Sequence, residues 1–96
     1  MSGENLDEIA LKIAEVHVEF LLLHPYREGN GRTARLLATI MAYQSGLPGI
    51  DFSFIKSKGK EFDNYISAIQ NGMKKDYNKM KNIILKALYL SVQKNQ

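Results

Sequence analysis

Residues 20–35 run Phe20-Leu21-Leu22-Leu23-His24-Pro25-Tyr26-Arg27-Glu28-Gly29-Asn30-Gly31-Arg32-Thr33-Ala34-Arg35. They read as the apolar end of one helix, a break, and the start of another. Pro25 disfavours helical geometry at His24 and stops the first helix there. Gly29, Asn30 and Gly31 tolerate positive φ and make a tight turn. The segments on either side must therefore be separate elements joined by a short loop.

Upstream, Leu6, Ile9, Ala10, Ile13, Val16 and Phe20 recur at three- and four-residue steps, so a helix is predicted over about 6–23. Asn5 or Ser2 is the expected cap. Its last residues, Phe20 to Leu23, are apolar all round, which predicts a helix end buried in the centre of the fold. Downstream, Ala34, Leu37, Ala38 and Met41 form one face of a helix from Gly31 or Arg32 to about Ser45, with Gly46 as its C-terminal stop. Residues 46–53 read as a loop. Two more helices are predicted, about 58–72 with Phe62, Tyr65, Ile66 and Ile69 inward, and about 76–93 with Tyr77, Met80, Ile83, Ile84, Ala87 and Leu88 inward. Met41, Met73 and Met80 read as core filler. No stretch alternates as a strand would, and the fold class is all-α.

The loop has a chemistry of its own. A Gly-Asn-Gly turn opening a helix presents backbone N–H groups at the positive end of the helix dipole, where an anion binds. Arg32 and Arg35 are three residues apart and share a face. Arginines are out of place at a helix start on dipole grounds, and their guanidinium groups point to a multiply charged partner such as a polyphosphate. Glu28 is a hard oxygen ligand of the kind Mg²⁺ takes beside phosphate oxygens, and its bland alternative is an ion pair with Arg32 or Arg35. His24 has an ordinary pKa of about 6.5, suited to a general base. Together these residues suggest phosphoryl or nucleotidyl transfer. His17, in mid-helix, reads instead as a packed structural residue. Tyr65 and Tyr77 fit core positions with their hydroxyls at the rim.

His24 to Arg35 resembles the signature loop of the Fic family, His-x-Phe-x-Asp/Glu-Gly-Asn-Gly-Arg-x-x-Arg, with Tyr26 in place of the usual phenylalanine. Ile9 to Leu23, Leu36 to Asp51 and Tyr65 to Ile69 are similar to the flanking helices with lower specificity. The resemblance implies a protein adenylyltransferase. His24 would take a proton from a Ser, Thr or Tyr hydroxyl of a target protein, and that oxygen would attack the α-phosphate of ATP. Glu28 would hold Mg²⁺. Gly29, Asn30 and Gly31 would cradle the α- and β-phosphates, with a side-chain contact from Asn30. Arg32 would meet the β-phosphate and Arg35 the γ-phosphate. Tyr26 would anchor the loop. Gly31 favours AMP transfer, because a phosphorylating branch of the family has lysine there.

The resemblance also shapes the expected architecture: a compact Fic-type bundle of core helices, a single partial Fic domain over 1–96. The further N-terminal helices and β-hairpin flap of the family are not placed among the residues before His24. The family's self-inhibitory pattern, Ser/Thr-x-x-x-Glu-Gly/Asn, finds no match, since Ser91 is followed by Asn95 where the glutamate belongs. Inhibition is then expected from a separate antitoxin-like protein. The alternative reading is a truncated, catalytically weak fold that binds nucleotide or protein.

Composition bounds the rest. The chain has 96 residues, no cysteine and 45% hydrophobic residues, the profile of one small globular domain. Its acidic, polar N-terminus is unlike a secretory signal, and no apolar run approaches the roughly 20 residues of a membrane span. A soluble chain without a membrane partner is expected, cytoplasmic in its producing cell or in a host cell if it is a secreted effector. The net charge of +3 hides nine lysines within residues 56–96. Their helical spacing among acids reads as a solvated face rather than a nucleic-acid surface. Self-association is left open.

Overall fold

The computed structural model describes residues 5–23, 30–55 and 58–94, with residue 30 described by its backbone alone. The described elements are all helical. Helix α1 spans Leu6–Leu23, α2 Asn30–Gln44, α3 Lys60–Asn71 and α4 Asn78–Lys94, with a single 3₁₀ turn, Gly72–Lys74, after α3. The fold class is all-α. Among the described residues no helix is long and apolar enough to cross a membrane.

Helix α1 is the axis of the fold, packing most extensively along α4, then α2, and also touching α3 and the 3₁₀ turn. It opens where Asn5 predicts it should: the Asn5 side-chain oxygen accepts the Glu8 backbone N–H at 2.8 Å. Ser2, the other expected cap, lies outside the described residues. The buried stripe of α1 pairs Ile9 with Ala10, Ile13 with Ala14, and His17 with Val18. Each pair is four residues beyond the last, so the stripe keeps to one side of the helix. Among the described residues the largest fully buried side chains are Ile13, Met80, Ile84, Leu88, His17 and Val18. Each aliphatic one contributes about 1.5–3 kcal/mol of transfer free energy.

Several sequence expectations are corrected by this geometry. Leu6 and Val16 are exposed, at 39% and 41%, and beside Val16 the inward positions are taken by His17 and Val18. The end of α1 is not buried all round. Phe20, Leu21 and Leu22 are half-buried and Leu23 is 74% exposed, since one helix cannot turn every side toward α2 and α4. Ile66 lies outside the inward stripe of α3, which runs through Tyr65 and Ala68. Met73 is 69% exposed, because Gly72 occupies the inward position of the 3₁₀ turn.

Both helix ends that matter for the site are closed by backbone geometry. At the end of α2, Gly46 adopts φ 84°, Gly46 N–H reaches the Tyr43 carbonyl at 3.0 Å, and Leu47 N–H reaches the Ala42 carbonyl at 3.0 Å. This is a Schellman closure with the predicted glycine in its left-handed position. Lys75 does the same after the 3₁₀ turn, at φ 61°, with Lys75 N–H on Gly72 and Asp76 N–H on Asn71. The following residues tie that corner to α1. Glu19 accepts from the Tyr77 hydroxyl and pairs with Lys75 at 3.2 Å, contacts that hold its carboxyl below the usual range.

The loop after α2 is fastened to α4. Asp51 N–H donates to the Ala87 carbonyl at 3.0 Å, and its carboxylate pairs with Lys94 and accepts Ser53 N–H at 2.8 Å. Lys94 first, then Ser53, lowers the Asp51 carboxyl to about 2. So fastened, the loop delivers Phe52 to the inner face of α1.

Gly72 marks the closest approach of the α3–α4 corner to α1. A Cβ built there would lie 2.1 Å from Val18 Cγ1, well inside contact distance. Gly72→Ala is therefore expected to destabilise the fold by about 1–3 kcal/mol despite the entropy alanine saves in the unfolded chain. Urea unfolding checks this, and Val18→Ala in the same chain should recover part of the loss.

Candidate functional site

Of the residues the sequence nominates, Asn30, Gly31, Arg32 and Arg35 lie on the described part of α2. His24, Pro25, Tyr26, Arg27, Glu28, Gly29 and the side chain of Asn30 lie outside the described residues. The helix begins at Asn30, one or two residues earlier than the expected Gly31 or Arg32, and has no acidic residue in its first turn. The described first turn thus supplies no acid to offset the positive end of its dipole.

Arg32 and Arg35 are both exposed. Arg35 does not simply extend into solvent. Its Nη1 lies 3.3 Å from where a Gly31 Cβ would stand, and its Cζ lies 4.0 Å from that point. The guanidinium is therefore folded back over the first turn of its own helix, where the sequence places the anion. Glycine at 31 leaves it room. Among the described residues no three His, Asp or Glu side chains are grouped to hold a metal ion, and Glu28 is not among them.

Behind Arg35 lies a buried polar chain that sequence reasoning did not assemble. His17, 1% exposed, places Nδ1 3.1 Å from the Ala34 carbonyl and Nε2 2.6 Å from the Tyr65 hydroxyl. A carbonyl only accepts, so Nδ1 carries the proton. In the neutral ring Nε2 is then an acceptor, and the Tyr65 O–H must donate to it. The Tyr65 oxygen is left with lone pairs, and the positive charge of Arg35 acts on it. Phe52 stacks on the imidazole at 5.5 Å between centroids and 14° between planes, closing the site from the loop side.

The electrostatics agree with this assignment. Burial lowers the His17 pKa to about 4, with the Arg35 charge adding to that and the Ala34 carbonyl opposing it. Burial raises the Tyr65 hydroxyl to about 12, with Arg35 pulling it the other way. Both side chains are neutral near pH 7. The structural role expected for His17 holds. The hydroxyl of Tyr65 is not at the rim as expected but inside, because the imidazole offers it an acceptor there. A histidine on the inward stripe of α1 was the available signal, since a buried imidazole needs two partners.

Comparison with known proteins bears on the first part of the chain. Residues 2–42 match the model of the Fic/DOC family. The chain is also similar to protein adenylyltransferase fic-1 of Caenorhabditis briggsae and of Caenorhabditis elegans, each 44% identical over 39 residues. That alignment covers 41% of this chain and 8% of each relative, so the likeness spans a small part of their length. No solved structure matches significantly.

The depressed His17 pKa has a consequence for stability. In the unfolded chain the imidazole takes up a proton near pH 6.5, and in the fold only near 4. Stability from the neutral ring is complete above about pH 6.5 and is lost as pH falls toward 4. The fold is expected to lose about 2 kcal/mol between pH 7.5 and pH 5. Urea midpoints at the two pH values measure it, and in His17→Gln the difference should shrink, although that variant starts from a lower stability.

Proposed function

We propose that the Fic/DOC segment, residues 2–42, is the nucleotide-binding and catalytic part of a protein adenylyltransferase that moves AMP from ATP to a Ser, Thr or Tyr hydroxyl of a target protein. In this reading His24 accepts the hydroxyl proton. The oxygen forms a bond to the α-phosphorus, the bond from that phosphorus to the α–β bridging oxygen breaks, and pyrophosphate leaves. Gly29, Asn30 and Gly31 donate N–H groups to the α- and β-phosphates. Arg32 meets the β-phosphate and Arg35 the γ-phosphate. Glu28 would hold Mg²⁺, which offsets phosphate charge when bound.

One observation supports the reading most directly. The Arg35 guanidinium stands over Gly31, at a helix N-terminus with no acid in its first turn. A polyphosphate reaching that point would meet backbone N–H groups, the dipole end and a fixed cation together. Target recognition, a hydroxyl-bearing protein as acceptor, inhibition by a separate antitoxin-like protein and a cytoplasmic site of action are parts of the same proposal. The family match and the partial likeness to the adenylyltransferases support the transferase chemistry alone.

A second reading is favoured by the small share of each relative that the likeness covers. The chain would then bind nucleotide or a protein partner without turnover. Incubation with α-labelled ATP, Mg²⁺ and a cell lysate separates the two. Transfer predicts labelled protein bands that disappear in His24→Ala, while ATP still binds that variant. Binding without label in the unaltered chain favours the second reading, and full label in His24→Ala rules out the base.

The arginine assignment is tested separately. Arg35→Ala is expected to weaken ATP by about 1.5–3 kcal/mol, the worth of hydrogen bonds to a charged group, and to leave ADP nearly unchanged. Calorimetry with both nucleotides measures this. Equal losses for ATP and ADP would remove the γ-phosphate from Arg35.

A further inference from the structure

Helix α2 packs chiefly on α1, and its fully buried side chains among the described residues are three alanines, Ala34, Ala38 and Ala42. Alanines fill space but offer no ridge to lock into a groove, so a face made of them tolerates sliding and rotation. A directional contact crosses the same interface: His17 Nδ1 meets the Ala34 carbonyl at 3.1 Å. We propose that His17 is a positioning residue for the first turn of α2: its Nδ1–H, donated to the Ala34 carbonyl, holds the backbone of residues 30–35 where it meets phosphate. That this turn meets phosphate rests on the adenylyltransferase reading above. The hydrogen bond does not.

The bond acts where small shifts matter. The Ala34 carbonyl and the Arg35 N–H belong to one planar peptide group, so fixing the carbonyl fixes the plane from which the Arg35 main chain leaves. In a helix that starts at Asn30, the Arg35 N–H donates in turn to the Gly31 carbonyl. One side-chain bond thus reaches the backbone of Gly31 and of Arg35, both of which meet phosphate in the proposed function. A backbone donor holds an anion at about 2.9 Å and has lost it by about 3.6 Å. A turn free to drift by less than 1 Å would therefore bind poorly.

The donor is itself fixed. Nε2 accepts the Tyr65 O–H at 2.6 Å, and Phe52 lies against the ring at 5.5 Å between centroids. With both nitrogens engaged and one face covered, the imidazole cannot turn without leaving a buried polar group unpaired. Tyr65 and Phe52 lie beyond residues 2–42, so the part of the chain outside the family match braces the residue that steers the turn inside it.

Two substitutions separate steering from simple packing. His17→Asn keeps an N–H₂ donor near the place of Nδ1 and gives up the reach to Tyr65. His17→Gln keeps an acceptor near the place of Nε2 and gives up the reach to Ala34. Both should lose stability in urea, since each leaves one buried group without its partner. Calorimetry is expected to show ATP binding weakened about tenfold in His17→Gln and less than threefold in His17→Asn. Without nucleotide, amide hydrogen exchange at Arg35, measured against Ala42 in the same helix, is expected to speed up about tenfold in His17→Gln alone.

Affinity that falls equally in the two variants, or in step with their stability, would overturn the proposal and leave His17 a packing residue. Long-range ¹H–¹⁵N spectra of the unaltered chain give the tautomer. A proton on Nδ1 is expected. A proton on Nε2 instead overturns the proposal even if neither variant folds, because a carbonyl takes nothing from a bare nitrogen. If the unaltered chain fails to bind ATP, the adenylyltransferase reading falls, while the exchange data still decide whether His17 holds the turn.

Discussion

The interaction on which the rest depends is the pair of hydrogen bonds made by one buried imidazole. His17 reaches the Ala34 carbonyl with one nitrogen and the Tyr65 hydroxyl with the other. Apolar packing alone sets helices side by side with tolerance to sliding. Two directional bonds from a single rigid ring do not tolerate it, because each shift of α2 or α3 along α1 leaves a buried polar group unpaired, at a cost of about 1–3 kcal/mol. The imidazole therefore sets the register of three helices at the level where the candidate nucleotide site opens. Phe52, stacked on the same ring, adds the loop between α2 and α3 to the arrangement.

Around that point the fold is built with narrow clearances on one side and spare room on the other. Gly72 meets Val18 so closely that no Cβ fits, and the Glu19 contacts with Tyr77 and Lys75 hold the same corner against α1. Helix α2 is held chiefly by α1. Its Leu36, Ile40 and Tyr43, spaced four and three apart, remain 60%, 42% and 59% exposed. The helix carrying Arg32 and Arg35 is thus positioned by the imidazole and the packing of Ala34, Ala38 and Ala42. Small residues let α2 approach α1 closely enough for the Ala34 carbonyl to come within reach of His17.

Much of the architecture was legible because helices write themselves locally. The step of three and four residues, Asn5 before α1 and Gly46 after α2 located elements to within about two residues. Side-chain direction was less legible. Periodicity names a stripe but does not centre it, and this is why Val16, Ile66 and Met73 were placed inward while His17 and Gly72 hold those positions. A histidine or a glycine gains an inward place through a particular partner, an acceptor for the ring or a methyl against the missing Cβ, and partners come from elsewhere in the chain.

The sequence by itself determined the helical class, the position of the loop and the set of residue types in it, from His24 to Arg35. Those are properties of neighbours along the chain, where spacing and backbone preference act directly. Only the tertiary structure decided how the start of α2 is held. The hydrogen bonds that do so join residues 17, 34 and 65, which no local rule relates. Hydrogen-bond direction passes from a carbonyl through an imidazole to a hydroxyl, and each step exists only once α1, α2 and α3 have packed.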